Sequence, residues 1–303
     1  MVFSKNPDLH PVLLGLFLSM YLLSVLGNLL IILAVTSDCH LHTPMYFFLC
    51  SLSFADVGLT STTVPRLIVA ILTHRTDISY AGCLTQMSFS IIFGCMDDLL
   101  LTVMAYDRFV AICHSLHYQV IMNPHCCGFL VAMTFVASLL DTLLHNVMVL
   151  EVTCFKTLEI SSFFCDPSQL LNLTCTNTLT HDIFIYFVGL LFVFFPISGI
   201  FYSYYKIISC ILRVPSPEGR HKTFSTCGSH LTVVGLFYGT AFGVYLTSAF
   251  SISTRKSAVA SVTYAVVTPM LNPFIYSLRN GDIKRAMCRV FKKQSHLVSV
   301  SSI

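Results

Sequence analysis

Residues 11–35 read PVLLGLFLSMYLLSVLGNLLIILAV, with no charged side chain among them. A helix of roughly 20 apolar residues crosses about 30 Å of hydrocarbon, so this stretch is long enough to span a bilayer. It is too long for the apolar core of a cleaved leader and has no basic segment before it, so it reads as a signal-anchor span. Six more apolar stretches follow, at Pro44–Leu72, Gln86–Cys113, Gly128–Met148, Ile183–Leu212, Thr223–Thr247 and Ala258–Leu278. Composition agrees: the 303 residues are 55% hydrophobic and 10% charged, with mean hydropathy +0.78. Soluble domains carry about 25% charged residues. The expected fold is therefore all-α and membrane-embedded, a seven-transmembrane helix bundle forming one domain over 1–303.

Seven spans put the termini on opposite sides. With the N-terminus outside, the cytoplasmic segments hold Arg108, Lys206, Arg213, Arg220, Lys222, Arg279, Lys284, Arg285, Arg289, Lys292 and Lys293. The outer segments hold only Lys5, Arg66, Arg75, Lys156, Arg255 and Lys256. Basic residues concentrate on the inner side of membrane proteins, which favours a short extracellular segment 1–10 and a cytoplasmic tail 280–303. From Asp282 to Lys293 bases alternate with Ile283, Met287, Val290 and Phe291, a pattern that suits a short amphipathic helix on the inner leaflet. The net charge of +3 is small and dispersed, and gives no footprint for nucleic acid.

Cysteine chemistry divides by side. This map puts Cys83, Cys154, Cys165 and Cys175 outside, where disulfides persist, and the other cysteines in spans or inside. Four cysteines allow three pairings. Loop spacings match no zinc pattern, so no metal centre is expected there. Asn172-Leu173-Thr174 is an N-glycosylation acceptor triplet.

Ionisable groups inside lipid are costly and mark functional positions. Asp56 lies in the second span, and Asp97 and Asp98 lie in the third, with Asn28 and Asn272 able to face the same interior. The acids suit a shared Na⁺ or proton, since hard cations prefer oxygen; a hydrogen-bonded network that packs the helices is the alternative. Asp141 is expected near the outer end of the fourth span, facing protein or headgroups, with no assigned role. Asp107-Arg108 ends the third span, either as a snorkelling anchor or as an ion pair that breaks when a partner docks. Pro196 and Pro273 interrupt the fifth and seventh spans and free backbone carbonyls.

An ordered set of motifs covers the whole chain: Gly27-Asn28, PMYFFL at 44–49, MAYDRFVAIC at 104–113, KTFSTCGSH at 222–230, FYGT at 237–240 and PMLNPFIYSLRN at 269–280. Together they resemble the odorant receptor family, tetrapod-type class II, within the rhodopsin-like G-protein-coupled receptors. The resemblance implies a Cys83–Cys165 bridge and a second bridge, Cys154–Cys175. It implies switch residues at Asp107, Arg108, Tyr204, Asn272, Pro273 and Tyr276, paired intramembrane acids at Asp56 and Asp97, and a helix-6 toggle at Tyr238. Phe109, Ser115 and Thr223 depart from the family pattern on the G-protein side, and Asn6 precedes Pro7, so it cannot accept a glycan.

Helical periodicity places Ser90, Ile91, Gly94 and Cys95 on one face of the third span. By resemblance Val188, Gly189 and Phe192 face them, and Tyr238, Ala241, Phe242, Tyr245, Val262 and Ala265 close the cavity. The implied function is odorant reception: small, mostly apolar volatile molecules bind in the bundle and activate a stimulatory G protein that raises cyclic AMP. The implied partners are odorant, G protein and bilayer at the plasma membrane, with no cofactor beyond a Na⁺ at Asp56 and Asp97. No carboxylate lies beside Ser90, which disfavours a protonated amine. A proton pump or transporter would need a repeat or a retinal lysine, and a hydrolase a clustered nucleophile and base; the sequence has none of these signatures.

Overall fold

A computed structural model describes residues 9–73, 77–150, 160–161, 165, 179–213, 216–249 and 262–289. Its long helices are α1 (His10–Ser37), α2 (Pro44–Thr73), α3 (Tyr80–Cys113), α4 (Pro124–Leu150), α5 (Leu179–Leu212) and α6 (Pro217–Ala249). Then α7 begins as a π-helical turn, Thr263–Val267, and runs on as α-helix through Thr268–Arg279. A last short helix, α8, covers 281–289. This is a seven-helix membrane bundle with a short terminal helix. α3 forms its axis, packing on α2, α4, α5 and α6, while α1 packs on α2 and α7.

Helix starts extend beyond the apolar runs. Proline opens α2, α4 and α6, where its missing N–H costs nothing. Ser79 caps α3 by accepting from the Gly82 N–H at 3.2 Å, so α3 starts at Tyr80 rather than Gln86. Asn123 Oδ1 does the same for Cys126 at 2.9 Å ahead of α4. A hydropathy window misses such polar first turns, although their backbone hydrogen bonds continue the helix. α1, α2, α3, α4 and the Phe187–Leu212 part of α5 are each long and apolar enough to cross a membrane on their own. Beside them, α6 carries a polar first turn with Glu218 and Arg220, and α7 is broken by its π turn.

Burial is inverted relative to a soluble protein. Phe129, Leu190 and Phe201 are 63%, 63% and 69% exposed on the outer surface, whereas Asn28, Asp56 and Ser138 are at most 1% exposed inside. Hydrocarbon replaces water outside, so apolar side chains face outward without penalty and polar atoms must pair within.

The clearest such pairing joins α1 to α7. Pro273 has no N–H, so the carbonyl of Pro269, one turn earlier, lacks its helical donor. Asn28 Nδ2 donates to that carbonyl at 3.1 Å and to the Ser24 carbonyl at 3.0 Å. Gly27 permits the approach, since a Cβ there would lie 3.1 Å from the Pro273 ring.

At the far end, α8 buries Ile283 and Ala286 and turns Asp282, Arg285 and Arg289 outward, the expected amphipathic pattern. Positions 290–293 of the expected helix lie outside the described residues. Arg289 pairs with Asp38 at 2.6 Å, and the Tyr46 hydroxyl meets Asn280 and Asp282. Desolvation pushes the Asp38 carboxyl up, but hydrogen bonds from His40 and the Arg289 charge outweigh it and hold the group below the ordinary carboxylate value. At the opposite end Asp77–Ile78 pairs antiparallel with Ile160–Ser161.

If Asn28 serves the carbonyl that Pro273 frees, Asn28→Ala lowers the stability of the purified receptor by about 1–3 kcal/mol, the cost of an orphaned buried acceptor. In a Pro273→Ala background the same change has a clearly smaller effect, because residue 273 regains an N–H. Thermal melts of the two singles and the double test this coupling.

Candidate functional site

Three polar layers run along α3. The first lies near the Cys83 end, where Cys83 and Cys165 form a disulfide with Cα atoms 5.4 Å apart. Ile91 packs against this bridge with Met87 and Val149. Ser90 is buried, and its Oγ has no hydrogen-bond partner among the described residues. One turn on, Gly94 leaves room for a neighbour: a Cβ there would lie 2.7 Å from the Tyr264 hydroxyl of α7. Val188 is buried, and Gly189, Phe192, Tyr238 and Ala241 are half-buried.

The structure corrects part of the expected lining. Phe242 is 64% exposed. The inward face of α6 follows Cys227, His230, Val233 and Phe237, and Ala241 continues it at helical spacing. Phe242 is one residue further, about 100° around the helix. Val262 and Ala265 pack into a cluster with Phe17, Leu59 and Leu67 of α1 and α2. The π turn at Thr263–Val267 inserts an extra residue per turn, so faces extrapolated at the α period are misplaced, and Tyr264 meets α3 instead. The Tyr245 side chain, Cys154, Cys175 and Asn172 lie outside the described residues.

The second layer holds the acids. Asp56 accepts from Asn272 Nδ2 at 3.0 and 2.9 Å, which joins α2 to α7. Asp97 is buried, and its Oδ1 has no hydrogen-bond partner among the described residues. Asp98 instead accepts from the Tyr238 hydroxyl, a link between α3 and α6. Asp141 faces protein: it is buried, with Oδ1 3.1 Å from His145 Nδ1.

The third layer surrounds Arg108. Its Nη2 lies 2.5 Å from Asp107 Oδ2, and the Tyr118 hydroxyl donates to Asp107 Oδ1 at 2.7 Å. Of the two readings of Asp107-Arg108, this geometry is the ion pair. Nearby, His230 bridges three helices. Its Nε2 lies 3.0 Å from the Leu101 carbonyl, which can only accept, so Nε2 carries the proton. In the neutral ring Nδ1 then accepts from the Tyr204 hydroxyl at 2.7 Å. Tyr276 is buried, with its hydroxyl lacking a hydrogen-bond partner among the described residues. Here too the structure joins Cys113 and Cys210, a pairing that compartment reasoning missed. Elsewhere, the adjacent Asp38, Cys39 and His40 bring donor atoms within 4.8 Å of one another, but Asp38 is already engaged by Arg289.

Sequence reasoning flagged Asp98 without its partner Tyr238, and missed Tyr118, His230 and Tyr264. His230 closes the KTFSTCGSH motif at 222–230, which was the available signal; Tyr118 and Tyr264 lie in none of the quoted motifs.

A seven-helix bundle with a buried polar column and an Asp–Arg pair at one end fits a membrane signalling receptor of the G-protein-coupled class. Comparison with known proteins agrees. The family model described as olfactory receptor matches residues 17–294. The mouse protein olfactory receptor 7E178 is 67% identical over 290 residues, covering 96% of this chain and 88% of its own length. Human olfactory receptor 7E24 is 67% identical over 287 residues (95% and 85%), and human olfactory receptor 7D4 is 56% identical over 290 (96% and 93%). The chain belongs to the olfactory receptor family.

Because Asp98 depends on Tyr238, Tyr238→Phe is expected to destabilise the receptor by about 1–3 kcal/mol, whereas removing both partners costs less than the sum of the single changes. Thermal shifts of Tyr238→Phe, Asp98→Leu and the double variant check it; strictly additive shifts would count against the pairing.

Proposed function

We propose that this chain binds small, mostly apolar volatile molecules among α3, α5 and α6 and, when occupied, activates a stimulatory G protein that raises cyclic AMP. The observation that carries this reading is the layout of α3. Ser90 offers an unpartnered buried hydroxyl in one half, and Arg108 sits in an ion pair at the other end. The two are roughly 27 Å apart along the axis, at about 1.5 Å per residue. One rigid helix thus carries both a ligand handle and a switch.

The proposed orientation has the N-terminus outside and the C-terminus cytoplasmic in the plasma membrane, which the distribution of bases supports. The Cys83–Cys165 end then faces outward, with a second bridge at Cys154–Cys175 and a glycan at Asn172, and the Arg108 end faces the G protein. The chain acts as a single domain over 1–303.

Ligand chemistry follows from the lining. Gly94 lies one turn from Ser90, and with Val188 and Phe192 of α5 as the facing residues the lining offers apolar contact and few orienting bonds. Burying about 200 Å² of ligand contributes about 5 kcal/mol. Lost translational and rotational freedom opposes this, so weak, roughly micromolar binding is expected.

The mechanism is a population shift. Ligand contact near Tyr238 weakens its bond to Asp98, and α6 swings outward. His230 then leaves Leu101, and Tyr204 is freed toward Arg108 and Tyr276, with the Asn272-Pro273 segment as the hinge. Asp56 and Asp97 hold a proton or Na⁺ between them; the unpartnered Asp97 Oδ1 and Asn272 Oδ1 are oxygen donors of the kind Na⁺ takes.

Cells expressing the chain, screened with a panel of volatiles, are expected to show saturable cyclic AMP responses. Arg108→Ala should abolish them at equal surface staining, and Ser90→Ala should lower potency about 3- to 10-fold for ligands with a hydrogen-bonding head, the effect of one neutral hydrogen bond. Normal signalling by Arg108→Ala would overturn the reading.

A further inference from the structure

The pair formed by Cys113 and Cys210 is not used by the mechanism above. Cys113 is the last residue of α3, and Cys210 lies in the last turn of α5. Their Cα atoms are 5.9 Å apart and 97 residues separate them in sequence. That spacing lies within the ~4.4–6.8 Å that disulfides require. Both residues are half-buried, within reach of a small oxidant but inside the bundle wall.

Both redox states fit this site. The structure closes the disulfide, and as a thiol Cys113 Sγ has an acceptor in the Lys206 carbonyl at 3.6 Å. In the orientation proposed above, the pair faces the cytosol, where glutathione keeps thiols reduced and disulfides serve as transient sensors. Dithiol is therefore the resting form and disulfide the conditional one.

We propose that Cys113 and Cys210 are a reversible oxidation site, closed by peroxide-class oxidants and reopened by cytosolic thiols, which tethers α3 to α5 and suppresses coupling. One thiolate attacks hydrogen peroxide, breaking its O–O bond and giving a sulfenic acid and hydroxide. The second thiol then displaces water from the sulfenic sulfur. Overall, two thiols lose two hydrogens and two electrons, and one peroxide becomes two waters. Reopening transfers the disulfide to two glutathione molecules by thiol exchange.

The effect on coupling follows from what lies beside the tether. Further along the same two helices, Thr102 Oγ1 donates to the Pro196 carbonyl at 3.2 Å, and a Cβ on Gly199 would lie 3.0 Å from Thr102. With the tether closed, α3 and α5 are joined at two levels on either side of Tyr204. The arrangement so joined is the one in which Tyr204 is held by His230 and Arg108 by Asp107. Any active arrangement that draws the end of α5 from α3 is then opposed by a covalent bond.

The consequence for coupling rests on the signalling reading; the bond itself does not, and two readouts separate them. Membranes from cells expressing the full chain are treated with hydrogen peroxide, then with dithiothreitol. After alkylation and digestion, mass spectrometry seeks the Cys113–Cys210 linked peptide, and nucleotide exchange on added stimulatory G protein is followed in parallel. The linked peptide is expected to appear with peroxide and vanish with dithiothreitol. Exchange should fall about fivefold, the low end of usual coupling between sites, in the parent but not in Cys210→Ser. Failure of the linked peptide to form would overturn the site. A linkage already complete before peroxide would make it a fixed structural bond instead. An equal fall in Cys210→Ser would assign the effect to other cysteines. A linkage that forms in a receptor with no exchange in either state would sink the signalling reading and the tether's effect on it, leaving the chemistry standing.

Discussion

Inside a bilayer a carbonyl that loses its helical donor has no water to turn to, and Pro273 creates such a carbonyl at Pro269. The bundle answers from another helix, through Asn28 of α1 at 3.1 Å. That bond requires α1 and α7 to touch, and Gly27 beneath the proline ring eases the approach. Immediately before that proline, Asn272 reaches Asp56 on α2 with its amide nitrogen. Three helices are thus joined by polar contacts that a soluble protein could exchange for water and this one cannot. The break in α7 is compensated by side chains, so it retains a defined shape while lacking the stiffness of an uninterrupted helix.

The same rule governs the other side of α3, with a different result. α6 is bound to α3 through Tyr238–Asp98 and through His230 on the Leu101 carbonyl. Neither contact is local in sequence, and the second uses a main-chain carbonyl as acceptor. Around them the packing is apolar, from Phe237 and Val233 to Leu100 and Met104. Apolar contacts are non-directional and tolerate sliding, whereas hydrogen bonds do not. Polar contacts thus fix α1, α2 and α7 to one another, while apolar packing surrounds the polar contacts between α6 and α3.

Most of this architecture was legible before any coordinates. Uninterrupted apolar stretches such as 11–35 define spans because hydrocarbon thickness sets their length, and intramembrane acids such as Asp56 stand out because they are costly. The ion pair of Asp107 with Arg108 was legible as one of two options; geometry chose between them. What escaped depends on local departures from regular geometry or on long-range pairing. At the π turn in α7, Val262 and Ala265 pack with Phe17, Leu59 and Leu67, and Tyr264 reaches Gly94 of α3. Phe242 failed because a helix face is only a few residues wide, and one residue past its edge points into lipid. Cys113 and Cys210 escaped because sequence assigns thiols by compartment, while their juxtaposition depends on how α3 and α5 end.

On the proposed mechanism, the polar ties of α6 to α3 also set the scale of energy that a ligand must supply. Leaving a buried hydrogen-bonding group unsatisfied costs about 1–3 kcal/mol. Breaking Tyr238–Asp98 and His230–Leu101 together therefore costs about 2–6 kcal/mol if nothing replaces them. Taking a population from almost wholly resting to almost wholly active needs about 5.5 kcal/mol of preference for the active state. A small apolar ligand gains only about 5 kcal/mol from its whole buried surface, much of it in both states. Binding alone is thus too small to drive the change without compensation. The buried groups that lack partners among the described residues, the Tyr276 hydroxyl above all, matter for that reason. On the proposed mechanism, a bond formed by that hydroxyl on rearrangement returns part of what α6 loses. A receptor for weak ligands can switch when its resting state leaves polar atoms unsatisfied at the coupling end.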